Sequence, residues 1–342
     1  MTVSPHWVIG RVETPAGDVG SVSARWTWRD WLGSAAVRAG LRRRAGYAVA
    51  PGLYAVGRPA ADSVLLASAN YKLSFDLLRR RLAGRDAWIL VLDTKGINVW
   101  CAAGKGTFGT EELVNRLAAT GAGRVVDHRT IVLPQLAAPG VTAHEVLRRS
   151  GFRVVFGPVR AADLPAFLAA GMRATPRMRR VRFDLPDRLA VVPVELVQRF
   201  LPALLVTAVL FLLAGAERGG WRLATEVWPF IAAVVWVNYL TAGVLVPVLL
   251  PWLPGRPLSL KGVWIGLATG AGLWWLGGLG PVAGAAVVIL SGAAGSISGL
   301  ILTGSTPYTS VSGVRKEMKW AIPGQAAAAV LGLGLLGAER FL

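Results

Sequence analysis

Two hydropathy patterns divide the chain. From about Tyr47 to Gly171 short apolar runs alternate with amphipathic ones: SVLLAS (Ser63–Ser68) precedes YKLSFDLLRRRL (Tyr71–Leu82), AWILVLDT (Ala87–Thr94) precedes TEELVNRLAA (Thr110–Ala119), TIVLPQL (Thr130–Leu136) precedes AHEVLRRS (Ala143–Ser150), and FRVVFGPV (Phe152–Val159) precedes AADLPAFLAA (Ala161–Ala170). Apolar runs of that length read as strands and the amphipathic runs as helices. Their alternation builds a parallel sheet with helices on both faces, an α/β, Rossmann-like domain. Between the second strand and its long helix, NVWCAAG leaves room for one extra short helix ending at Gly104 and Gly106.

Beyond residue 200 the pattern changes. Phe200–Ala216, Val227–Leu250, Gly262–Gly280, Val282–Leu302 and Ala321–Gly337 carry no charged residue. Each is long enough to cross ~30 Å of hydrocarbon at ~1.5 Å per residue. Five transmembrane helices in an all-α bundle are expected. The domain boundaries follow: an N-terminal segment, 1–45, to which no element is given although it holds Trp26, Trp28 and Trp31; the α/β domain, 46–175; a basic linker, 176–199; and the membrane domain, 200–342. The first residues lack an apolar signal-peptide core, being interrupted by Arg11, Glu13, Asp18 and Arg25, so the N-terminal domain is expected to stay where it is made.

Charge sharpens this picture. The chain has 37 Lys and Arg against 19 Asp and Glu, a net +18, and most of the basic residues precede residue 200. Arg42–Arg44, Arg79–Arg81 and RATPRMRRVR (Arg173–Arg182) could face nucleic acid. Beside a membrane domain, apposition to an anionic leaflet is the simpler account, and no nucleic acid is expected. Loop charges give the orientation: Arg256, Lys261, Arg315, Lys316 and Lys319 fall on the same side as the α/β domain, with Arg182, Arg188 and Arg199 at the first span, against Arg218, Arg222 and Arg340 on the other. That places a multi-pass protein in the inner (cytoplasmic) membrane with its α/β domain in the cytoplasm. No ionisable residue interrupts the proposed spans, which favours an anchor over a pump. SGAAGSISG (Ser291–Gly299) reads as a close helix-packing face.

The candidate chemistry lies in DTKGINVWCAAGKGTFGTEEL (Asp93–Leu113), which holds Cys101, the single cysteine. GKGTFG (Gly104–Gly109) has the G-x-G-x-x-G spacing with Asp127 downstream, but a dinucleotide site needs its first glycine directly after the strand. No phosphate loop of the G-x-x-x-x-G-K-[ST] form is present. One cysteine with His6, His128 and His144 gives no zinc spacing, and an iron–sulfur cluster held within the chain is excluded. Three readings of Cys101 remain: an inert buried thiol, a nucleophile with His128 or His144 as base, and a soft axial ligand to a metal whose other ligands come from a macrocycle. Its position at the carboxyl edge of the sheet favours a ligand role. Lys105, four residues on, falls on the same side of a helical turn.

NVWCAAGK (Asn98–Lys105) resembles the cap-helix motif N-[VI]-W-C-A-[AG]-G-K of the HgcA family, the membrane-anchored corrinoid proteins of microbial mercury methylation, without departure. ANYKLSFD (Ala69–Asp76), IVLPQLAAPGV, SGFRVVFGPVRAADLPAF and TGSTPYTSVSGVRKEMKWAIPG are similar to that family as well, so the likeness runs from about Gly46 to the last apolar stretch. The resemblance implies a corrinoid-binding domain similar to that of the acetyl-CoA-pathway corrinoid iron–sulfur protein. It implies a corrinoid-dependent methyltransferase, in which Cys101 is the lower axial ligand of cobalt and Asn98, Val99, Trp100, Ala102, Ala103, Gly104 and Lys105 form the helix capping the corrin, the alanines leaving room for the flat macrocycle. The methyl group would pass from methyl-Co(III) to Hg(II), carbanion-like or as a radical, giving methylmercury. The implied partners are a ferredoxin-like protein with two [4Fe-4S] clusters, a methyl-folate donor and membrane lipid. The alternatives are a corrinoid methyl carrier for another soft metal, metalloid or carbon-pathway acceptor, and a non-enzymatic nucleotide- or redox-binding membrane module.

Overall fold

The structure, a computed structural model, describes residues 5–41, 46–216, 220–309 and 311–338. The Arg42–Arg44 run, Arg218 and Arg340 lie outside them. Two units result: residues 1–37 with 41–181, and residues 38–40 with 182–342.

The first unit is a seven-stranded sheet. Its strands are β1 (Val8–Val12), β2 (Val19–Val22), β3 (Gly52–Val56), β4 (Leu65–Ala69), β5 (Ala87–Leu92), β6 (Thr130–Leu133) and β7 (Arg153–Phe156), in the spatial order β1-β2-β3-β5-β4-β6-β7. β5, β4, β6 and β7 are mutually parallel, as the strand–helix alternation demands. The helices between them are α2 (Lys72–Arg81), α3 (Val99–Lys105), α4 (Thr110–Ala119), α5 (Ala122–Val125) and α6 (Ala143–Ser150), with α7 (Leu164–Ala169) after the last strand.

β5 shows why a continuous apolar run was needed. Trp88, Leu90 and Leu92 pack into one buried cluster, and Ala87, Ile89 and Val91 into the other. A strand covered on both faces has no polar side.

The sheet is nonetheless mixed. β3 runs antiparallel to β5, parallel to β2, and β1 closes the edge as an antiparallel hairpin with β2. The segment 1–45, for which no element was expected, therefore supplies two strands and α1 (Trp28–Arg38) to this unit. Four- and five-residue strands broken by glycine and charge carry too little periodicity to be seen in sequence.

α1 is fixed to α2 by buried charge. The Asp30 carboxylate receives Lys72 Nζ at 3.1 Å, His6 Nε2 at 3.0 Å and the Arg79 guanidinium at 2.9 Å. Asp76 takes Lys72 Nζ at 2.6 Å and Arg79 Nε at 2.8 Å. Burial pushes the Asp30 carboxyl up, but the Thr27 backbone N–H, the Lys72 hydrogen bond and the charges of Arg79 and Lys72 together hold it far below the usual carboxylate range.

The second unit is helical: α8 (Leu185–Leu189), α9 (Val192–Gly215), α10 (Gly220–Leu249), α11 (Leu258–Gly277), α12 (Pro281–Leu302) and α13 (Val311–Ala338). Among the described residues four helical segments are long and apolar enough to cross a membrane, Leu185–Gly215, Trp228–Leu249, Pro281–Ser305 and Ser312–Ala338. The third of the five expected spans is also a helix, α11, with 20 residues, but with five glycines, three tryptophans and Lys261 it is not among those four. Residues 182–199, part of the expected linker 176–199, hold α8 and the start of α9, and the two units divide at 181/182. Within the helical unit Glu195 is buried and pairs with Arg199.

The small-residue segment behaves as expected. A Cβ placed on Gly262 would stand 1.9 Å from the Gly295 carbonyl oxygen, one on Gly295 2.3 Å from that of Gly262, and one on Gly299 2.0 Å from that of Leu258. α11 and α12 touch backbone to backbone.

Candidate functional site

The order β5-β4-β6-β7 has a reversal between β4 and β6, where the chain leaves β4 toward one neighbour and later returns to the other. Loops at such a reversal diverge and open a crevice at the carboxyl ends of the strands. A cavity of about 310 Å³ occupies it, formed by Leu66–Ser68 of β4, Val132–Pro134 at the end of β6, Gly157–Val159 after β7, and Asn98, Val99 and Trp100 of the α3 segment. Its walls are mostly apolar, with few polar groups, as small-molecule sites commonly are.

α3 reaches this edge through a clamped turn. Lys95 and Gly96 both take left-handed backbone angles, φ 58° and 69°. The Asn70 side-chain oxygen, directly after β4, accepts from Thr94 N at 3.1 Å, Thr94 Oγ1 at 2.8 Å and Gly96 N at 2.9 Å. The single Thr94 hydroxyl proton is shared between Asn70 and the Ile97 carbonyl, which lies 2.7 Å from Oγ1. The neighbouring Asp93 carboxyl is held below its usual range by the Lys95 ammonium, against the push of partial burial.

Asn98 then starts the helix. Its side-chain oxygen accepts the Cys101 backbone N–H at 2.9 Å, satisfying a donor that has no partner inside the first turn. Gly106, at φ 80°, ends it in the left-handed form that glycine adopts without strain. Gly109 caps the start of α4. Gly140 seats the corner between them: a Cβ there would meet the Phe108 carbonyl oxygen at 2.3 Å and the Ala103 backbone at 3.0 Å.

The eight residues picked out in sequence divide between two faces. Val99, Ala102 and Ala103 are buried and bind α3 to the core, while Trp100, Cys101, Gly104 and Lys105 are exposed. Asn98, Val99 and Trp100 also line the cavity; Cys101 and the residues after it do not. Ala102 and Ala103, expected to leave room for a macrocycle, face inward and pack against the core. The open neighbour is Gly104, where an added Cβ would meet no atom within 4 Å.

The rival chemistries fare differently. Gly104 lies inside α3 and Gly106 and Gly109 serve as helix boundaries, so GKGTFG does not form a turn directly after β5 as a pyrophosphate site requires. His128 is engaged by backbone, its Nε2 with the Ser63 carbonyl at 3.0 Å and its Nδ1 accepting from Thr130 N at 3.2 Å. His144 is exposed on α6. Among the described residues no group of three or more His, Cys, Asp or Glu side chains could hold a metal ion.

Asn70 and Gly140 escaped sequence reading as site-building residues. Asn70 falls inside the resemblance stretch ANYKLSFD, yet only the fold shows that it holds the turn before α3. A glycine after proline, as in Pro139–Gly140, signals a turn but not the close approach of another segment.

Comparison with known proteins bears on this unit. Residues 42–168 match the family described as CdhD, CO dehydrogenase/acetyl-CoA synthase delta subunit. The gamma subunit of the acetyl-CoA decarbonylase/synthase complex from Methanopyrus kandleri is 33% identical over 122 residues, 35% of this chain and 26% of that protein. The gamma subunit from Methanocaldococcus jannaschii is 31% identical over 123 residues, 35% of this chain and 25% of that protein. The chain thus spans about a quarter of the length of these relatives. The family match begins after α1 and ends before the apolar helices, and it encloses β3 to β7 with the whole of α3, so the likeness to acetyl-CoA synthase-type subunits belongs to the segment that builds this site.

Proposed function

We propose that the sheet unit is a Rossmann-like corrinoid domain, that the chain is a corrinoid-dependent methyltransferase, and that its methyl acceptor is Hg(II), giving methylmercury. The observation that carries this reading is the presentation of Cys101: the single thiol of the chain, exposed on a short capped helix at the ligand edge of the sheet, inside an unbroken NVWCAAGK.

The residues suit the cofactor. A lone thiol cannot hold a bare metal ion, but it suits one axial position of a metal already held by a macrocycle. The open space over Gly104, one turn from Cys101, admits a flat ligand to that face. When bound, the corrinoid supplies a cobalt centre that takes up a methyl group and yields it to an electrophile. The chain's own residues do the positioning. Cys101 would offer its sulfur as the protein's ligand to the cobalt. Asn98 fixes the Cys101 backbone N–H, Val99, Ala102 and Ala103 keep α3 from rolling, and Asn70 holds the turn before it. Trp100, 43% exposed, also lines the cavity, and Lys105 is exposed one turn past Cys101.

The helical unit fits a five-span membrane domain in which α11, the third helix of the five in chain order, joins the four apolar segments as a span, packed closely on α12. Loop charges favour an inner-membrane protein with the sheet unit in the cytoplasm. A ferredoxin-like protein with two [4Fe-4S] clusters would restore the cobalt to its reduced state, and a methyl-folate donor would reload it.

The test is expression with such a ferredoxin in an anaerobe that makes no methylmercury. Methylmercury is expected from the unaltered chain and none from Cys101→Ala, and the corrinoid absorption bands of the purified variant should shift. Production unchanged by that substitution would sink the ligand role. A second acceptor is favoured by the similarity to acetyl-CoA decarbonylase/synthase subunits: a carbon-pathway enzyme. Comparing Hg(II) with such an acceptor on the purified methyl-loaded protein separates the two.

A further inference from the structure

α1 is inverted relative to an ordinary surface helix. It buries Asp30, Ser34 and Val37 and turns Trp28, Trp31, Leu32 and Ala35 outward. Those four stand at i, i+3, i+4 and i+7, a single stripe along one face. Trp28 is 66% exposed, Trp31 54% and Leu32 60%. The buried Asp30 is compensated by Lys72 and Arg79, so the polar side of the helix faces inward without leaving a free charge there. Cations rim the apolar face: the Arg29 guanidinium lies 5.4 Å from the Trp28 ring centre, Arg80 lies 5.2 Å from that of Trp31, and Arg25 is exposed beside them. The helix's own acidic residue, Asp30, is turned away from this face.

We propose that this face of α1 is a membrane foot, lying in the headgroup layer of an anionic bilayer. Tryptophan rings settle at the boundary between water and hydrocarbon, where an apolar body and a polar N–H are both satisfied. Arginines beside them meet lipid phosphates, each favouring the bound state. A bilayer would be close at hand, because among the described residues four helical segments are apolar enough to cross one, and tethering makes the docking step effectively intramolecular. Docking at α1 would fix how the sheet unit, with Cys101 on it, faces the lipid surface. α1 also lies before residues 42–168, the segment that matches the acetyl-CoA synthase-type family.

The experiment uses the full chain in nanodiscs of equal parts phosphatidylcholine and phosphatidylglycerol. Cys101→Ser with Leu32→Cys leaves one thiol for a nitroxide label, and Cys101→Ser with Ala35→Cys gives a second reporter. Each label is expected to be relaxed more by oxygen than by a water-soluble nickel chelate, the signature of a lipid depth. Adding Arg25→Glu and Arg29→Glu should lower the docked-to-free ratio about tenfold or more, as should nanodiscs of phosphatidylcholine alone. Labels open to the nickel chelate in the anionic nanodiscs would overturn the proposal. Shielding from both reagents would overturn it too, since that marks a face covered by protein.

Discussion

The sheet unit and the helical unit join their helices by opposite means. In the first, α2 is held to α1 by four charged side chains enclosed together, Asp30, Lys72, Asp76 and Arg79. In the second, α11 and α12 meet through glycines with only backbone between them. In water any two apolar faces attract, so a directional feature is useful to decide which faces meet. In lipid the surroundings are as apolar as the helices, and close backbone approach supplies the attraction. The buried charges of one unit and the missing side chains of the other thus answer one question in two ways, the second suited to apolar surroundings.

The largest effect should come from breaking the charge cluster. Arg79→Leu leaves Asp30 and Asp76 with Lys72 as their remaining enclosed cation, and removing one partner of a buried set costs about 3–5 kcal/mol. Urea denaturation of the purified full chain, followed by tryptophan fluorescence, reads that loss. A change within error would mean the cluster is incidental and the contrast between the units is lost. The same cluster sets a pH response. The Asp30 carboxyl is depressed in the folded state, below the ordinary 3.8, so its contribution is complete above that value and is lost as pH falls toward the folded value. The denaturation midpoint should fall with acid below about pH 4 in the unaltered chain. Neutralising Asp30 by Asp30→Asn should flatten that slope.

The second effect tests the glycine contact. Gly295→Val places a methyl-bearing carbon where the Gly262 carbonyl oxygen already stands, and overpacking of this kind costs about 3 kcal/mol. The thermal midpoint in nanodiscs should drop. Gly334→Val, in α13 where a Cβ meets nothing within 4 Å, should change it little. Equal effects at the two positions would show that helix propensity, and not helix contact, governs the bundle.

These contrasts also mark what could be read in the sequence. β4 to β7, α4 and α6 were legible because β4, β5 and β6 are covered on both faces, β7 is a short apolar run at the edge, and each helix keeps one apolar side, so hydropathy alone announces them. SGAAGSISG was legible because small residues at helical spacing have one main use in a membrane. β1, β2 and α1 were not legible, since their apolar residues are few and α1 turns its apolar stripe the wrong way for a soluble helix. The site itself was half legible. The motif located Cys101, but which of its neighbours face inward depends on the rotation of α3, and that is set by Gly140 and Asn70, distant in sequence and without a pattern of their own.

Asn70 supplies the third prediction. Asn70→Ala removes the acceptor for Thr94 N, Thr94 Oγ1 and Gly96 N, a loss of about 2 kcal/mol after the turn relaxes toward water. Hydrogen exchange at the Thr94 and Gly96 amides should accelerate most, with the sheet core unchanged. If the core strands exchange faster as well, Asn70 supports the whole unit and is not specific to the turn before α3.

The smallest effect isolates the helix that presents the thiol. Asn98 contributes one neutral hydrogen bond, to the Cys101 N–H, where the Asp30 cluster contributes several charged ones. Removing a cap of this kind costs about 1 kcal/mol, and a serine can replace it in geometry and chemistry. Asn98→Ala should therefore speed amide exchange at Cys101 about fivefold, and Asn98→Ser should restore most of the protection. Global stability should stay nearly constant in both, because α3 is a seven-residue helix held to the core mainly by Val99, Ala102 and Ala103. Rescue by serine would show that the motif's asparagine acts through the backbone of the residue it presents. Failure of serine to rescue, with Cys101 exchange still fast, would assign the asparagine amide itself to ligand contact, and the sheet unit would then hold its site by side chain where the cap geometry says it holds it by backbone.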